Sequence, residues 1–143
     1  MSNDQFMRRV LRTSAFFNFG GALLFAFPAS LGQLAGLPAP VPRLYSLFLA
    51  LLVALFGATY AWLARQPSID RPLVAFSALG KSTFFAVVSL CWLLGDVPVR
   101  AVAGAAGDLV FALIFTWWLL AGTPAAAARP GAAQPESWRT GTS

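Results

Sequence analysis

Four apolar runs, each long enough to cross a lipid bilayer, constrain this chain more than any other feature. They extend over about residues 14–35, 44–64, 73–94 and 99–121. A helix needs about 20 predominantly apolar residues to cross a hydrocarbon core of about 30 Å. The connections between the runs are short and rich in proline, which favours antiparallel neighbours. The pattern predicts an all-α fold, an antiparallel bundle of four transmembrane helices within residues 1–122.

The composition agrees with a bilayer as the protein's main partner. Of the 143 residues, 58% are hydrophobic and only 10% are charged. A soluble domain of this length exposes a surface that needs more charge. The net charge of +5 comes largely from arginines at the ends of the apolar runs, where orientation in a membrane explains them better than binding to nucleic acid. We therefore expect no nucleic-acid partner.

The distribution of basic residues predicts the orientation of the bundle. Seven arginines outside the runs lie on the side of both chain ends and two lie on the opposite side. Because basic residues accumulate in cytoplasmic segments, both termini are predicted to be cytoplasmic. A preference for Arg over Lys, with abundant Ala, Gly and Leu, indicates a bacterial genome of high GC content, and hence a multi-pass protein of the inner (plasma) membrane. The two sets are Arg8, Arg9, Arg12, Arg65, Arg71, Arg129 and Arg139 against Arg43 and Arg100.

Aromatic residues near the ends of the runs are expected at the two membrane interfaces. Trp and Tyr are enriched there because their rings are apolar on one side and polar on the other. Tyr45 and Trp92 would mark the outer interface, and Trp62, Trp117 and Trp118 the inner one.

The two ends of the chain call for separate predictions. Residues 123–143 consist largely of small residues and prolines, which cannot compensate for the entropy lost on ordering, so we predict a disordered cytoplasmic tail. Residues 1–35 have a basic start, an apolar stretch and small residues near Pro28, so a cleaved signal peptide is an alternative. Asn18 and two glycines interrupt that stretch and favour a retained span.

The residue inventory excludes several kinds of chemistry. The chain has no histidine and a single cysteine, Cys91. Haem ligation, zinc hydrolysis and the Ser–His relay usually depend on imidazole, and a disulfide or a CxxC pair needs two cysteines. We therefore predict no catalytic residue, no metal ion and no cofactor.

Lys81 and Asp108 are the strongest signal in the chain because both lie inside apolar runs. A charge near the bilayer centre costs at least about 2.5–3.5 kcal/mol, so it needs a partner or a purpose. With a rise of about 1.5 Å per residue, the two lie about 12 and 20 Å from the inner ends of their helices, which permits a salt bridge. The pair could lock the third and fourth helices in register or form a site that binds a solute or relays a proton. A third alternative is an unpaired Lys81 that extends toward the interface.

Other polar residues in the runs predict a possible polar cavity around this pair. Asn18, Tyr60 and Ser77 would contribute to it from three helices. Two alternatives compete: Tyr60 could anchor the interface beside Trp62, and Asn18 could simply join two helices by hydrogen bonds.

Small residues at helical spacing are expected to hold the helices together, because lipid provides no hydrophobic force between them. The expected stripes are Asn18, Ala22, Ala26 and Ser30; Ala50, Ala54 and Ala58, with Gly57 and Ala61 alongside; Ser77 and Lys81; and Gly104, Asp108, Ala112 and Thr116.

Three segments resemble small four-helix inner-membrane proteins of bacteria. They are Phe17-Asn-Phe-Gly-Gly21, Leu79-Gly-Lys81 and Gly107-Asp-Leu-Val-Phe111, and the likeness extends over residues 8–121. The resemblance implies the fold and a membrane address, and it implies no particular activity.

Three functions remain open from the sequence. The first is a non-catalytic accessory or interaction subunit, with a partner membrane protein or a second copy of the chain. The second is a small transporter or binding protein that uses the Lys81–Asp108 pair for a polar or anionic solute. The third is an enzyme acting on lipid or an isoprenoid, which the sequence disfavours because the loops between the runs add only two acids, Asp70 and Asp96, to the pair.

Overall fold

The computed structural model describes residues 3–122, which form four long helices. These are α1 (Asn3–Ala26), α2 (Arg43–Leu63), α3 (Arg71–Leu93) and α4 (Val99–Ala121), and a turn of π-helix, Pro28–Gly32, follows α1. The all-α prediction is confirmed. Helices α2, α3 and α4 are long and apolar enough to cross a membrane, as expected of a multi-pass membrane protein. The predicted tail, residues 123–143, lies outside the described residues.

Helix α1 differs from its predicted run at both ends. It begins at Asn3 rather than near residue 14, and its first turns bury Met7 and Leu11 completely. At the other end it stops at Ala26, where the next residue, Phe27, leaves helical geometry with φ −122° and ψ 62°. The α-helix therefore breaks just before Pro28, because proline has no N–H to donate and its ring crowds the preceding turn.

The helices associate as two hairpins, α1 with α2 and α3 with α4, and α1 also contacts α4. Small residues permit the close approach, as expected. A Cβ on Gly57 of α2 would lie 3.2 Å from the carbonyl oxygen of Ala15 and 3.3 Å from the Cβ of Asn18 in α1.

The expected stripes of small residues are only partly correct. Ala50 and Gly57 are buried in α2, whereas Ala58 is exposed. In α4 the buried small residues are Ala101, Ala105 and Ala112, and the predicted Gly104 and Thr116 are exposed. The helical period was predicted correctly, but Ala-rich runs offer several overlapping stripes and the sequence does not choose among them.

One half of the bundle has a continuous buried core. We call it the packed half; it comprises about residues 3–18, 57–80 and 109–122 and contains the end of α4 and the α2–α3 connection. Tyr60 and Phe115, both almost fully buried, meet there edge to face with ring centroids 5.8 Å apart. The core residues of the packed half are Met7, Val10, Leu11, Ala15, Tyr60, Leu63, Ala64, Ile69, Val74, Ala78, Phe115 and Trp118.

Two arginines hold the end of the packed half together. Arg8 donates to the carbonyl oxygens of Ala64, Gln66 and Pro67 just after α2, over 3.1, 2.5 and 2.8 Å. Arg71 donates to the carbonyl oxygen of Leu119 over 2.5 Å near the end of α4. Carbonyl groups at helix ends lack intrahelical donors and carry partial negative charge, so cations there stabilise the fold.

Of the five aromatic residues expected at the membrane interfaces, four are exposed and one is buried. Tyr45, Trp92, Trp62 and Trp117 are all exposed. Trp118 is only 4% exposed and lies beneath the Arg71 guanidinium, 5.1 Å from its carbon. Its side of α4 therefore faces the core, unlike that of its neighbour Trp117.

Candidate binding site around Lys81 and Asp108

The ammonium group of Lys81 lies at the centre of the bundle, between the two hairpins. Its Nζ donates to Oδ1 of Asp108 over 2.5 Å and to Oδ1 of Asn18 over 2.9 Å. Lys81 is 4% exposed and Asp108 13%. The expected ion pair is therefore present, and the alternative of an unpaired Lys81 is wrong. Both residues lie near the midpoints of their helices, so the pair is deep in the bundle.

Three aromatic rings also lie near the ammonium group. The centroids of Phe17, Tyr60 and Phe111 lie 5.4, 5.3 and 5.2 Å from Nζ. The negative face of an aromatic ring attracts a cation at such distances, and more so away from water. With Asn18 on α1, Tyr60 on α2 and Asp108 on α4, the ammonium group of Lys81 on α3 contacts all the other helices.

Glycine brings one of these rings into place. Phe17 packs against α4 where Gly107 leaves room, since a Cβ on Gly107 would lie 2.5 Å from Cζ of Phe17. The ring also contacts Phe111 at 5.5 Å between centroids. The contact between α1 and α4 at this level therefore depends on a glycine next to Asp108.

A cavity of about 630 Å³ lies directly beyond the ion pair, away from the packed half. All four helices contribute to it, and we call this part of the molecule, about residues 19–56 and 81–108, the open half. Its polar lining is confined to the floor, where Asn18, Tyr60, Lys81 and Asp108 meet. The walls are apolar and include Phe25, Leu52, Val53, Phe56, Phe84 and Val88.

Glycines leave the cavity unfilled. Gly20, Gly80 and Gly104 line it, and a Cβ added to any of them would meet no atom within 4 Å. The α1–α2 connection closes part of the far end: Leu37 lines the cavity, and Gly36, at φ +83°, fits against Arg100. A side chain at position 36 would be strained and would collide with that arginine, so only glycine suits this contact.

Of the three residues predicted to form a polar cavity, Asn18 and Tyr60 line the cavity and Ser77 does not. Asn18 accepts from Lys81, and its Nδ2 donates to the carbonyl oxygen of Val53 over 3.4 Å, so it also links α1 to α2. Tyr60 is 1% exposed and lines the cavity floor, so the prediction that it anchors the interface is wrong. Ser77 lies in the packed half, where it donates to the carbonyl oxygen of Leu73 over 2.7 Å; it does not line the cavity.

Several residues of the site were missed by the sequence reasoning. Phe17 and Phe111 were quoted only as parts of a resemblance, and Gly80 and Phe84 were taken as ordinary span residues. Spacing could have indicated Phe111, which follows Asp108 by three residues and therefore shares its helix face. For Gly80 and Phe84 the sequence holds no comparable signal, since apolar residues look alike whether they face lipid or a cavity.

The site offers hydrogen bonding and enclosure rather than an evident reactive group. Within residues 3–122, no cluster of three His, Cys, Asp or Glu side chains could hold a metal ion. Lys81 and Asp108 neutralise each other, and the cavity beside them is large enough for a ligand of moderate size, since such sites typically enclose about 300–1,000 Å³.

Comparison with known proteins adds no relative: no family model matches this chain, and neither the curated proteins nor the solved structures contain a match to it. Residues 17–21, 79–81 and 107–111 meet in space, since they supply Asn18, Lys81 and Asp108.

Proposed function

We propose that this protein binds a small membrane-soluble molecule in the cavity of its open half and performs no covalent chemistry on it. The observation that carries the proposal is the partly open apolar cavity, in which the polar side chains contributed by residues 3–122 converge on the floor. Concave, mostly apolar sites with a few convergent polar groups are characteristic of small-molecule binding. A small transporter for such a molecule would use the same site.

The apolar walls favour a different ligand from the polar or anionic solute that the sequence suggested. A polar or anionic solute would lose its hydration against Phe25, Phe56 and Phe84 and find partners only at the floor, at a cost of several kcal/mol. We therefore propose a molecule with an apolar body, which can enter from the lipid phase.

We also propose that residues 1–35 are retained and provide the fourth span. Met7 and Leu11 belong to the core of the packed half and Asn18 to the cavity floor, so removal of α1 would expose both. The arginine distribution supports cytoplasmic termini in a bacterial inner membrane. Arg8, bound to the α2–α3 connection, keeps the start of α1 on the same side as that connection.

Blocking the cavity tests the proposed function. Gly80→Leu combined with Gly104→Leu adds two side chains above the ion pair without a collision at Cβ. Ala58→Leu combined with Ala86→Leu is the matched control, since both alanines are exposed and lie outside the cavity lining. Each protein is purified in polymer-bounded native membrane discs, extracted with organic solvent and analysed by mass spectrometry.

We expect a molecule near one copy per chain with the wild type and the control, and at least tenfold less with the blocked variant. Equal recovery from all three proteins would indicate bulk lipid and would contradict the proposal.

A second function, an accessory subunit, is favoured by one observation. Helices α2 and α3 pack less closely against each other than the helices within either hairpin do, so a partner's helix could lie along that side of the open half. In the same experiment, a polypeptide that accompanies the wild type and the control but not the blocked variant would support this function instead.

A further inference from the structure

We propose that the ligand of the cavity is a neutral lipophilic alcohol, whose hydroxyl lies on the Lys81–Asp108 pair and whose hydrocarbon body fills the open half. This inference rests on the proposed function and specifies the class of ligand. It follows from the charge of the floor, from its unused hydrogen-bonding groups and from the character of the walls.

The charge of the floor selects a neutral head group. Lys81 and Asp108 form a closed ion pair, with 2.5 Å between Nζ and Oδ1. Among residues 3–122, Tyr60 is the only other ionisable residue that lines the cavity. A cationic head would be repelled by Lys81 and an anionic head by Asp108. Either would bring a third charge without a counter-charge into a medium where an unpaired charge costs several kcal/mol.

The hydrogen-bonding groups of the floor select a hydroxyl among neutral heads. An ammonium group has three N–H donors, and the oxygens of Asn18 and Asp108 account for two of them. Within the described part of the chain, Oδ2 of Asp108 accepts no hydrogen bond, although Asp108 faces the cavity. The floor thus has one donor and one acceptor to spare, side by side on the same ion pair.

A hydroxyl can satisfy both groups at once, because it accepts from Nζ of Lys81 and donates to Oδ2 of Asp108. A ketone or an ether can only accept, which leaves the carboxylate oxygen unsatisfied, and a hydrocarbon satisfies neither. Because hydrogen bonds to charged groups are stronger than neutral ones, about 1.5–3 kcal/mol each, the head group should matter even for a mostly apolar ligand.

The walls fit a hydrocarbon body of isoprenoid or ring type. Phe25 and Phe84 meet edge to face in the cavity wall, with ring centroids 6.4 Å apart, and Phe56 lines the cavity from α2. Aromatic and branched aliphatic groups pack closely with one another. The cavity of about 630 Å³ suits a body of moderate size rather than a two-chain phospholipid.

A series of probes with one body and different heads tests the inference. Farnesol, farnesyl methyl ether, farnesylamine and farnesyl phosphate share an isoprenoid chain and carry a hydroxyl, an ether, a cation and an anion. Each competes with radiolabelled farnesol for the wild-type protein in phosphatidylcholine nanodiscs at pH 7.5. Probe that dissolves in the nanodisc lipid is measured with the variant that carries Gly80→Leu and Gly104→Leu, and this background is subtracted from the wild-type signal.

We expect farnesol to bind at least about tenfold more tightly than the amine or the phosphate, since one unpaired buried charge costs more than the 1.4 kcal/mol that corresponds to tenfold. The ether should be at least about tenfold weaker than the alcohol, because it loses one hydrogen bond to the charged carboxylate of Asp108. Lys81→Met should reverse the order in favour of the amine, which replaces the missing cation beside Asp108. Asp108→Asn should reverse it in favour of the phosphate.

The outcomes separate this inference from the proposed function. Equal binding of all four probes, abolished by the blocked variant, would overturn the selectivity for an alcohol and leave the cavity as a binding site. A preference for the amine or the phosphate in the wild type would also overturn it. No cavity-dependent binding of any probe would contradict the alcohol class, and the extraction experiment would then decide the proposed function separately. The wild-type series decides the matter even if a single variant fails to fold.

Discussion

The packed half and the open half are built by the same four helices, yet one is filled and the other contains a cavity. In the packed half, large side chains such as Tyr60 and Phe115 meet across the bundle axis. In the open half, glycines occupy the corresponding positions on three helices, and the rings present line the walls without filling the centre. The difference shows that this bundle derives its cohesion from one end, which leaves the other end available for a ligand.

The ion pair lies at the boundary between the halves, and this position relates its two interpretations. Toward the packed half, Lys81 approaches Tyr60 and Phe111 and fixes the helices relative to one another. Toward the open half, Lys81 and Asp108 form the cavity floor. A structural lock and a binding site can therefore be two sides of one contact, and stability and ligand binding have to be measured separately.

The largest expected loss of stability comes from truncating a ring in the packed half, and the same truncation in the open half should cost much less. Phe115→Ala removes a fully buried ring from the packed half, and such a truncation typically costs about 3–5 kcal/mol. Phe84→Ala removes a ring of the cavity wall that contacts Phe25, with 6.4 Å between centroids. The loss of stability should therefore stay near that of one aromatic pair, about 0.5–1.5 kcal/mol. The free energy of unfolding is measured by dodecyl sulfate titration in mixed micelles, followed by circular dichroism. Equal losses would show that the two halves are equally important for stability.

An intermediate effect is expected at the boundary. Lys81→Met and Asp108→Leu each leave one charge buried without its partner, which costs about 3–5 kcal/mol in soluble proteins. We expect about 2 kcal/mol here, because unpaired groups in a membrane find other partners and measured couplings are smaller. The double variant should recover most of the loss, in the same unfolding assay. Strictly additive losses would show that the two residues do not stabilise each other.

Ligand recovery from the double variant then separates the two interpretations of the pair. If the contact is only a lock, the variant that carries both changes keeps the molecule extracted with the wild type. If it is also the floor of a site, recovery falls although stability returns.

The sequence predicted the helices more completely than it predicted their arrangement. Backbone groups in lipid must bond within their own segment, so long apolar runs such as residues 44–64 and 99–121 were reliable signals of α2 and α4. The Lys81–Asp108 contact could be predicted for a similar reason, since charge inside such runs is too costly to leave unpaired.

The packing around these elements could not be predicted from the same signals. Hydropathy assigns Trp118 and Trp117 to the same interface, although one is buried and the other exposed. The spacing of small residues likewise predicts Gly104 in a packed stripe, although a Cβ there would meet no atom within 4 Å. Which face of a helix meets protein, lipid or a cavity depends on all the helices together, and one apolar residue does not distinguish these environments.

The smallest expected effect concerns two glycines in the α1–α2 hairpin. Replacing them by alanine should change the free energy of unfolding in opposite directions in the two halves. Replacing Gly by Ala inside a helix stabilises it by up to about 1 kcal/mol when nothing obstructs the methyl group. At Gly20, in the open half, an added Cβ meets nothing within 4 Å, so Gly20→Ala should raise the free energy of unfolding slightly.

At Gly57 the same methyl group would lie 3.2 Å from the carbonyl oxygen of Ala15, and α1 would have to move away from α2. Overpacking of that kind costs about 1–3 kcal/mol, which exceeds the gain in helix propensity, so Gly57→Ala should lower stability. Both variants are compared in the same micelle titration, and a gain at Gly57 equal to that at Gly20 would show that the two helices are not packed as tightly as this contact requires.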